Sequence, residues 1–340
     1  MKYSFRNDYS QIGHPIILNA LLENADKVNV GYGFDDVTLR LEKTIQKTVN
    51  ENVNIYLLAG GTQTNMIALS MMMKPYEAVI AAESGHINVH ETGAVEGTGH
   101  RIITVPTENG KLKAADIENV LTAYNDVHMV KPKAVYISNS TEIGTIYYKE
   151  ELAKLSEVCQ KNNLYLFLDG ARLPVALTAK SNDLTLEDIV KATDACYIGG
   201  TKNGMPLGEV LIIKNAKIND GFRYYLKHKG AMFSKTFVLS YMFEKYFEDN
   251  LYLKLARNSN ETAEYLRTQL LANNIEIVYP NDTNQIFVRL KNEIIDVLKN
   301  DYQFEMWERE KDYSVIRLVT SYSTTKKGCD LLIDDIKKLQ

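Results

Sequence analysis

Much of what would place a protein at once is missing from this chain. Its 340 residues hold only three cysteines, Cys159, Cys196 and Cys329, an odd number without the paired spacing of a zinc site. They read as reduced, mostly buried thiols, which sets aside a disulfide framework and a redox or metal role. No run of about 18 apolar residues occurs, and the opening MKYSFRNDYSQIGHP has no apolar stretch of signal-peptide length. No membrane partner is expected, and the expected location is the cytoplasm. Basic excess is missing too: 39 Lys and Arg stand against 43 Asp and Glu, a formal charge of −4. Neutralising nucleic-acid phosphates needs the opposite balance, so nucleic acid is not an expected partner. Internal repeats and low-complexity linkers are also lacking.

What remains is an ordinary globular composition, 45% hydrophobic and 24% charged. Single cores stop growing near roughly 250 to 300 residues, so the length predicts one large domain with a smaller companion. From residue 53 the chain alternates short β-branched or apolar runs with longer stretches of helical periodicity. The runs are VNIYLLAG, EAVIAAES, RIITVP, KAVYISN, LYLFLDG, ACYIGG and EVLIIKN. That alternation predicts an α/β domain, a mostly parallel sheet flanked by helices. After Asn215 a long helical region rich in tyrosine and lysine leads to IEIVYP, NQIFVRL and YSVIRLVTSY, the strands expected of a smaller α+β lobe. We expect an N-terminal segment over 1–14, a large domain over 15–245 and a small domain over 246–340, the last boundary falling inside helix.

Three polar signals sit at predicted strand ends, where ligands of such sheets bind. In AGGTQTN (59–65) a glycine pair follows a strand and opens a helix, so backbone amides and the Thr62 hydroxyl can hold a phosphate, or simply form a tight turn with a helix cap. LFLDGAR (166–172) ends a strand on Asp169, with Arg172 three residues on; the carboxylate suits a metal, an ion pair with Arg172 or an anion beside a cationic ring nitrogen. YIGGTKNG (197–204) puts Lys202 after a glycine pair, either a loop lysine or an amine made nucleophilic by desolvation. Singly, none of these decides a function. Together, a phosphate cradle, an anion and an amine are what pyridoxal phosphate requires: the anion keeps its ring nitrogen protonated and the amine binds its aldehyde. His86, after the EAVIAAES strand, would lie over the same edge, where an imidazole can stack on a ring and move protons. His90, one helical turn later, reads as structural or exposed.

Taken as a set, these segments resemble the low-specificity threonine aldolases, fold type I pyridoxal phosphate enzymes of the β-eliminating lyase group. RNDY is similar to the family's RSDT, GYGFDD (31–36) to its YGxD, and GTQTN to its phosphate-binding GTxxN. ESGH, LDGAR and GTKNG are similar to its histidine, aspartate–arginine and lysine segments, and VIRLVTSY (315–322) to its late arginine segment. The resemblance implies that Lys202 carries the cofactor, Asp169 pairs with its ring nitrogen and His86 stacks on it, with Gly61, Thr62 and Asn65 around the phosphate. It implies that Arg172 and Arg317 clamp the substrate carboxylate with Asn7, where the family has serine, and that Tyr32 in the YGxD-like segment contributes to substrate binding. It also implies a homo-oligomer, a dimer of dimers, in which Lys227 or Lys229 reaches a neighbouring copy's phosphate.

One position departs from the family. Glu142, in STEIGTIY, stands where a histidine often handles the β-hydroxyl group, and a buried glutamate can still accept that proton. The expected reaction is retro-aldol cleavage of L-threonine, L-allo-threonine or a related β-hydroxy-α-amino acid such as phenylserine to glycine and an aldehyde. The alternatives are β-elimination or another α-carbon reaction on the same cofactor and, more remotely, a non-enzymatic structural homologue.

Overall fold

The computed structural model describes all 340 residues. Seven strands form the central sheet: β1 (Asn54–Leu58), β2 (Glu77–Ala82), β3 (Arg101–Val105), β4 (Lys131–Ser138), β5 (Tyr165–Asp169), β6 (Ala195–Gly199) and β7 (Glu209–Ile213). Their order is β1-β7-β6-β5-β4-β2-β3, and β7 alone runs antiparallel to its neighbours. Each expected run of apolar residues is one of these strands. They read as continuous rather than alternating because both faces are covered by helices. Ile55 and Leu57 pack into the core on one face. Tyr56 and Leu58 pack into the core on the other.

A second, four-stranded antiparallel sheet has the order β10-β11-β9-β8, from β8 (Glu276–Ile277), β9 (Gln285–Lys291), β10 (Glu305–Arg309) and β11 (Tyr313–Val319). Beneath it lies a separate core that includes Phe5, Leu266, Val288 and Ile333. The long helical region between the sheets is three helices, Phe222–His228, Thr236–Phe247 and Leu251–Ala272. Between the last two the chain breaks over Glu248–Asn250, where Asp249 and Asn250 take left-handed backbone angles. The expected boundary at 245 falls just inside the helix before that break. The three cysteines are free and buried, and burial pushes each thiol up to about 12. No helix is long and apolar enough to cross a membrane.

Two glycines fix how the sheet ends. A Cβ on Gly170, just past β5, would lie 1.7 Å from the Tyr197 carbonyl oxygen, and one on Gly199 would lie 2.2 Å from that of Ala171. The carboxyl ends of β5 and β6 therefore approach more closely than any side-chain-bearing residue permits, which draws Asp169 and the loop carrying Lys202 together.

Candidate active site

Asp169, the last residue of β5, is buried, yet its carboxylate is surrounded by donors. Oδ1 accepts from the Tyr197 hydroxyl at 2.6 Å and the Ala171 amide at 3.0 Å. Oδ2 accepts from the Tyr136 hydroxyl at 2.6 Å and the Asn65 amide group at 2.9 Å. Burial alone would raise its pKa, but the nearby His86 ring, the two tyrosines and the Ala171 amide outweigh burial and hold it below the usual carboxylate value. Asp169 is thus a fixed anion. Tyr136 and Tyr197 come from the strands flanking β5, and their hydroxyls converge on it.

Lys202 lies in the loop between β6 and β7, and its Nζ has no hydrogen-bond or ion-pair partner. Burial, then the Arg172 guanidinium, lowers its pKa against the pull of Asp8, Asp169 and Glu209. An amine held toward its neutral form is a nucleophile. Glu209, opposite Gly199 across the β6–β7 ladder, accepts the Gly200 amide at 3.1 Å, and burial pushes its carboxyl up to about 8.

His86 opens a short helix after β2. Its Nδ1 is 2.8 Å from Glu91 Oε1, which also accepts from Asn65 at 2.8 Å. A chain of polar contacts therefore runs from His86 through Glu91 and Asn65 to Asp169. Glu91 orients the ring and leaves Nε2 for the cleft. The His86 backbone amide donates to Glu142 Oε1 at 2.9 Å, as does Ser138 Oγ at 2.7 Å. Burial raises the Glu142 pKa; the Ser138 bond opposes this and Asp169 adds to it. Its Oε2 has no hydrogen-bond partner.

Gly61, His86, Glu142, Asp169, Arg172 and Lys202 line one narrow cleft. The other expected residues do not line it. Thr62 is exposed in the first turn of the helix Gly61–Met72, beside the cleft wall rather than in it. Asn65 sits beneath the cleft as a support for Asp169, not at the helix opening. Arg317 makes bonds to Gln285 and Glu305, while its buried Nε has no partner. Asn7 accepts from the Tyr9 amide and the Ser10 hydroxyl, closing a turn. The adjacent Asp8 instead enters the site, taking Arg172 Nε at 2.7 Å and Nη2 at 3.1 Å. Tyr32 lines a separate apolar hollow with Phe34 and Arg223. Lys229 is exposed over the Tyr225 ring, and Lys227 lies over that of Tyr32.

Sequence reasoning passed over Tyr136, Tyr197, Asp8, Glu91 and Glu209. The tyrosines interrupt aliphatic strands with a hydroxyl, the one signal by which they could have been found. His90, expected to be structural or exposed, is exposed at the mouth of the cleft, its ring centroid 5.4 Å from that of His86.

A family model described as beta-eliminating lyase matches residues 17–293. The chain belongs to that family. Among beta-eliminating lyases and their relatives, it is 32% identical over 286 residues to a low specificity L-threonine aldolase of a Pseudomonas species, covering 81% of this chain and 82% of that one. The corresponding aldolase of Pseudomonas aeruginosa is 29% identical over 272 residues, covering 79% and 78%. The solved structure of Leishmania major threonine aldolase matches with a TM-score of 0.97 at 43% identity, covering 99% of each chain. A Thermus thermophilus aspartate aminotransferase has a TM-score of 0.72 at 12% identity, covering 99% of this chain and 91% of that one, a likeness of fold alone. The beta-eliminating lyase fold of this chain is thus the fold type I architecture expected from its sequence.

Proposed function

We propose that this beta-eliminating lyase family member is a pyridoxal phosphate-dependent aldolase that cleaves L-threonine, L-allo-threonine or a related β-hydroxy-α-amino acid to glycine and an aldehyde. The observation that carries the reading is an unpartnered, half-buried amine, Lys202, sharing one cleft with Asp169, a carboxylate that four donors keep ionised. The relatives named as threonine aldolases support it.

The residues fit the cofactor. Gly60 gives the following helix no side-chain cap, and the amides of Gly61, Thr62 and Gln63 lack partners, so a phosphate at that helix end meets free donors. A Cβ on Gly61 would come within 2.9 Å of the Tyr197 hydroxyl, while none on Gly60 would touch anything within 4 Å. When bound, the cofactor supplies an electron sink for negative charge developing at the substrate's α-carbon.

This chain's residues do the rest. Lys202 would hold the cofactor through its amine, and Asp169 would face the ring nitrogen and keep it protonated. Arg172 keeps Nη1 free after pairing with Asp8, and the family resemblance adds Arg317, whose Nη atoms here bond Gln285 and Glu305. Together they fix the substrate carboxylate so that the Cα–Cβ bond stands in a single orientation. Glu142 Oε2, on the cleft that His86 also lines, accepts the β-hydroxyl proton as that bond opens.

Glycine release in the presence of pyridoxal phosphate tests the reading. A β-elimination would instead give a keto acid and ammonia. We also infer, from the family resemblance and from the exposed apolar run Val28, Val30 and Phe34, that copies of the chain associate as a dimer of dimers, with Lys227 or Lys229 reaching the neighbour's phosphate. Sedimentation at several concentrations checks the assembly.

A further inference from the structure

The strands β10 and β11 pair with one break in register. Met306 faces Ile316 and Glu308 faces Val315, so Trp307 has no partner across the ladder. A bulge of this kind turns its extra side chain out of the strict alternation, and bulges concentrate beside active sites. Here it delivers the chain's one tryptophan to Arg317, whose guanidinium carbon lies 5.2 Å from the indole centroid. Phe287 backs the indole at 5.0 Å. From the large lobe His90 approaches it, with ring centroids 6.4 Å apart and planes inclined at 53°. His90 in turn is 5.4 Å from His86. A row of four side chains therefore runs from His86, which lines the cleft, through His90 and Trp307 to Arg317.

Neither His90 nor Trp307 has a task in the aldolase reading, and both remain partly or largely exposed. A half-exposed aromatic side chain beside the cleft, with its back packed on Phe287, is a contact surface without its contact. The ends of the row constrain what fills it. Arg317 holds the substrate carboxylate at one end and His86 stands at the proton-accepting side at the other. The substituent on the β-carbon must then leave along the stretch between them.

We propose that Trp307 and His90 form the subsite for the substrate's β-substituent, and that its preferred occupant is an aryl ring, making aryl-substituted β-hydroxy-α-amino acids the favoured class. This rests on the aldolase reading above. The methyl group of threonine leaves most of the indole face uncovered, whereas a phenyl ring packs edge-to-face or offset against the inclined pair at ordinary aromatic separations of about 4.5 to 7 Å. Partial burial, then the neighbouring His86 and Arg317, lowers the His90 pKa.

The test uses the cofactor-loaded enzyme as wild type, Trp307→Leu, Trp307→Phe and His90→Ala. Glycine release is followed from L-threo-phenylserine and from L-threonine. Trp307→Leu is expected to lower kcat/KM for phenylserine roughly tenfold and that for threonine by no more than about twofold, with Trp307→Phe restoring most of the difference. Trp307→Phe also keeps an aromatic ring against Phe287, guarding against simple loss of fold. The second readout is fluorescence of the lone tryptophan. L-Phenylalanine, which has no β-hydroxyl group to lose, is expected to change the wild-type emission saturably, and L-alanine at the same concentrations to do far less. Equal loss for both substrates in the Trp307 variants, or the same fluorescence response to both amino acids, overturns the proposal. If wild type releases glycine from neither substrate, the aldolase reading fails, and the fluorescence comparison still decides whether an aryl side chain lies against Trp307.

Discussion

At the scale of single residues, the site depends on two buried carboxylates kept charged by opposite means. Asp169 is stabilised by four hydrogen-bond donors. Asp8 is stabilised by an ion pair, with burial raising its pKa and the Arg172 guanidinium more than reversing that. Its folded pKa therefore lies below the unfolded value near about 3.9. The stability it contributes is full above that value and is lost as pH falls through the folded one. Asp8→Asn leaves Arg172 buried and uncompensated and is expected to cost about 3 to 5 kcal/mol, measured by urea unfolding at neutral pH. Asp169→Asn keeps the shape but removes the anion, and glycine release is expected to fall about a hundredfold or more.

Glu142 makes a pH prediction. Burial raises its pKa, and it accepts a proton only when ionised, so kcat/KM is expected to rise as pH increases through that raised value. In Glu142→Gln this acidic limb should vanish from the pH profile; an unchanged limb would assign the proton to another group. Lys202, Asp169, Arg172 and His86 were all legible in the sequence because glycines and strand ends announce them. Asp8 was not, because nothing in RNDY tells which of two adjacent polar residues turns inward. Local geometry decided: the Asn7 side chain closes its own turn, and the aspartate is left to meet Arg172.

At the scale of elements, the strand ends bring the chemistry together. Gly170→Ala would force a Cβ to within 1.7 Å of the Tyr197 carbonyl, so β5 and β6 must separate. The expected result is loss of soluble, cooperatively unfolding protein. Gly60→Ala meets nothing within 4 Å on backbone that is already extended. It is expected to fold normally and to weaken cofactor binding alone, read by equilibrium titration with pyridoxal phosphate. All seven strands of the large sheet were legible because burial on both faces writes them as unbroken apolar runs. The strand β10 was not. Its sequence EMWER is half polar because it lies at the edge of the small sheet, and its bulge spoils the alternation that would have marked it. The tyrosine-rich helical stretch hid its second break for a related reason: Asp249 and Asn250 take left-handed conformations that their short polar side chains tolerate without any glycine to flag them.

At the scale of the whole molecule, the cleft is lined by the large lobe and braced by the small one. The N-terminal segment pairs Tyr3 and Ser4 with Tyr302 and Gln303 of the small lobe, then sends Asp8 to Arg172 in the large one. From the small lobe, Gln285 donates to the Thr141 carbonyl and Thr283 to that of Gly144, tethering the loop that carries Glu142. Arg317 and Glu142 are thereby set relative to each other by contacts that no local sequence pattern records. The measurement that bears most directly on this arrangement is product analysis with L-threonine and pyridoxal phosphate, run beside Lys202→Ala. Equal amounts of glycine and acetaldehyde from the wild type, and neither from Lys202→Ala, are the expected result. A keto acid with ammonia in their place, or undiminished glycine release by Lys202→Ala, would contradict it.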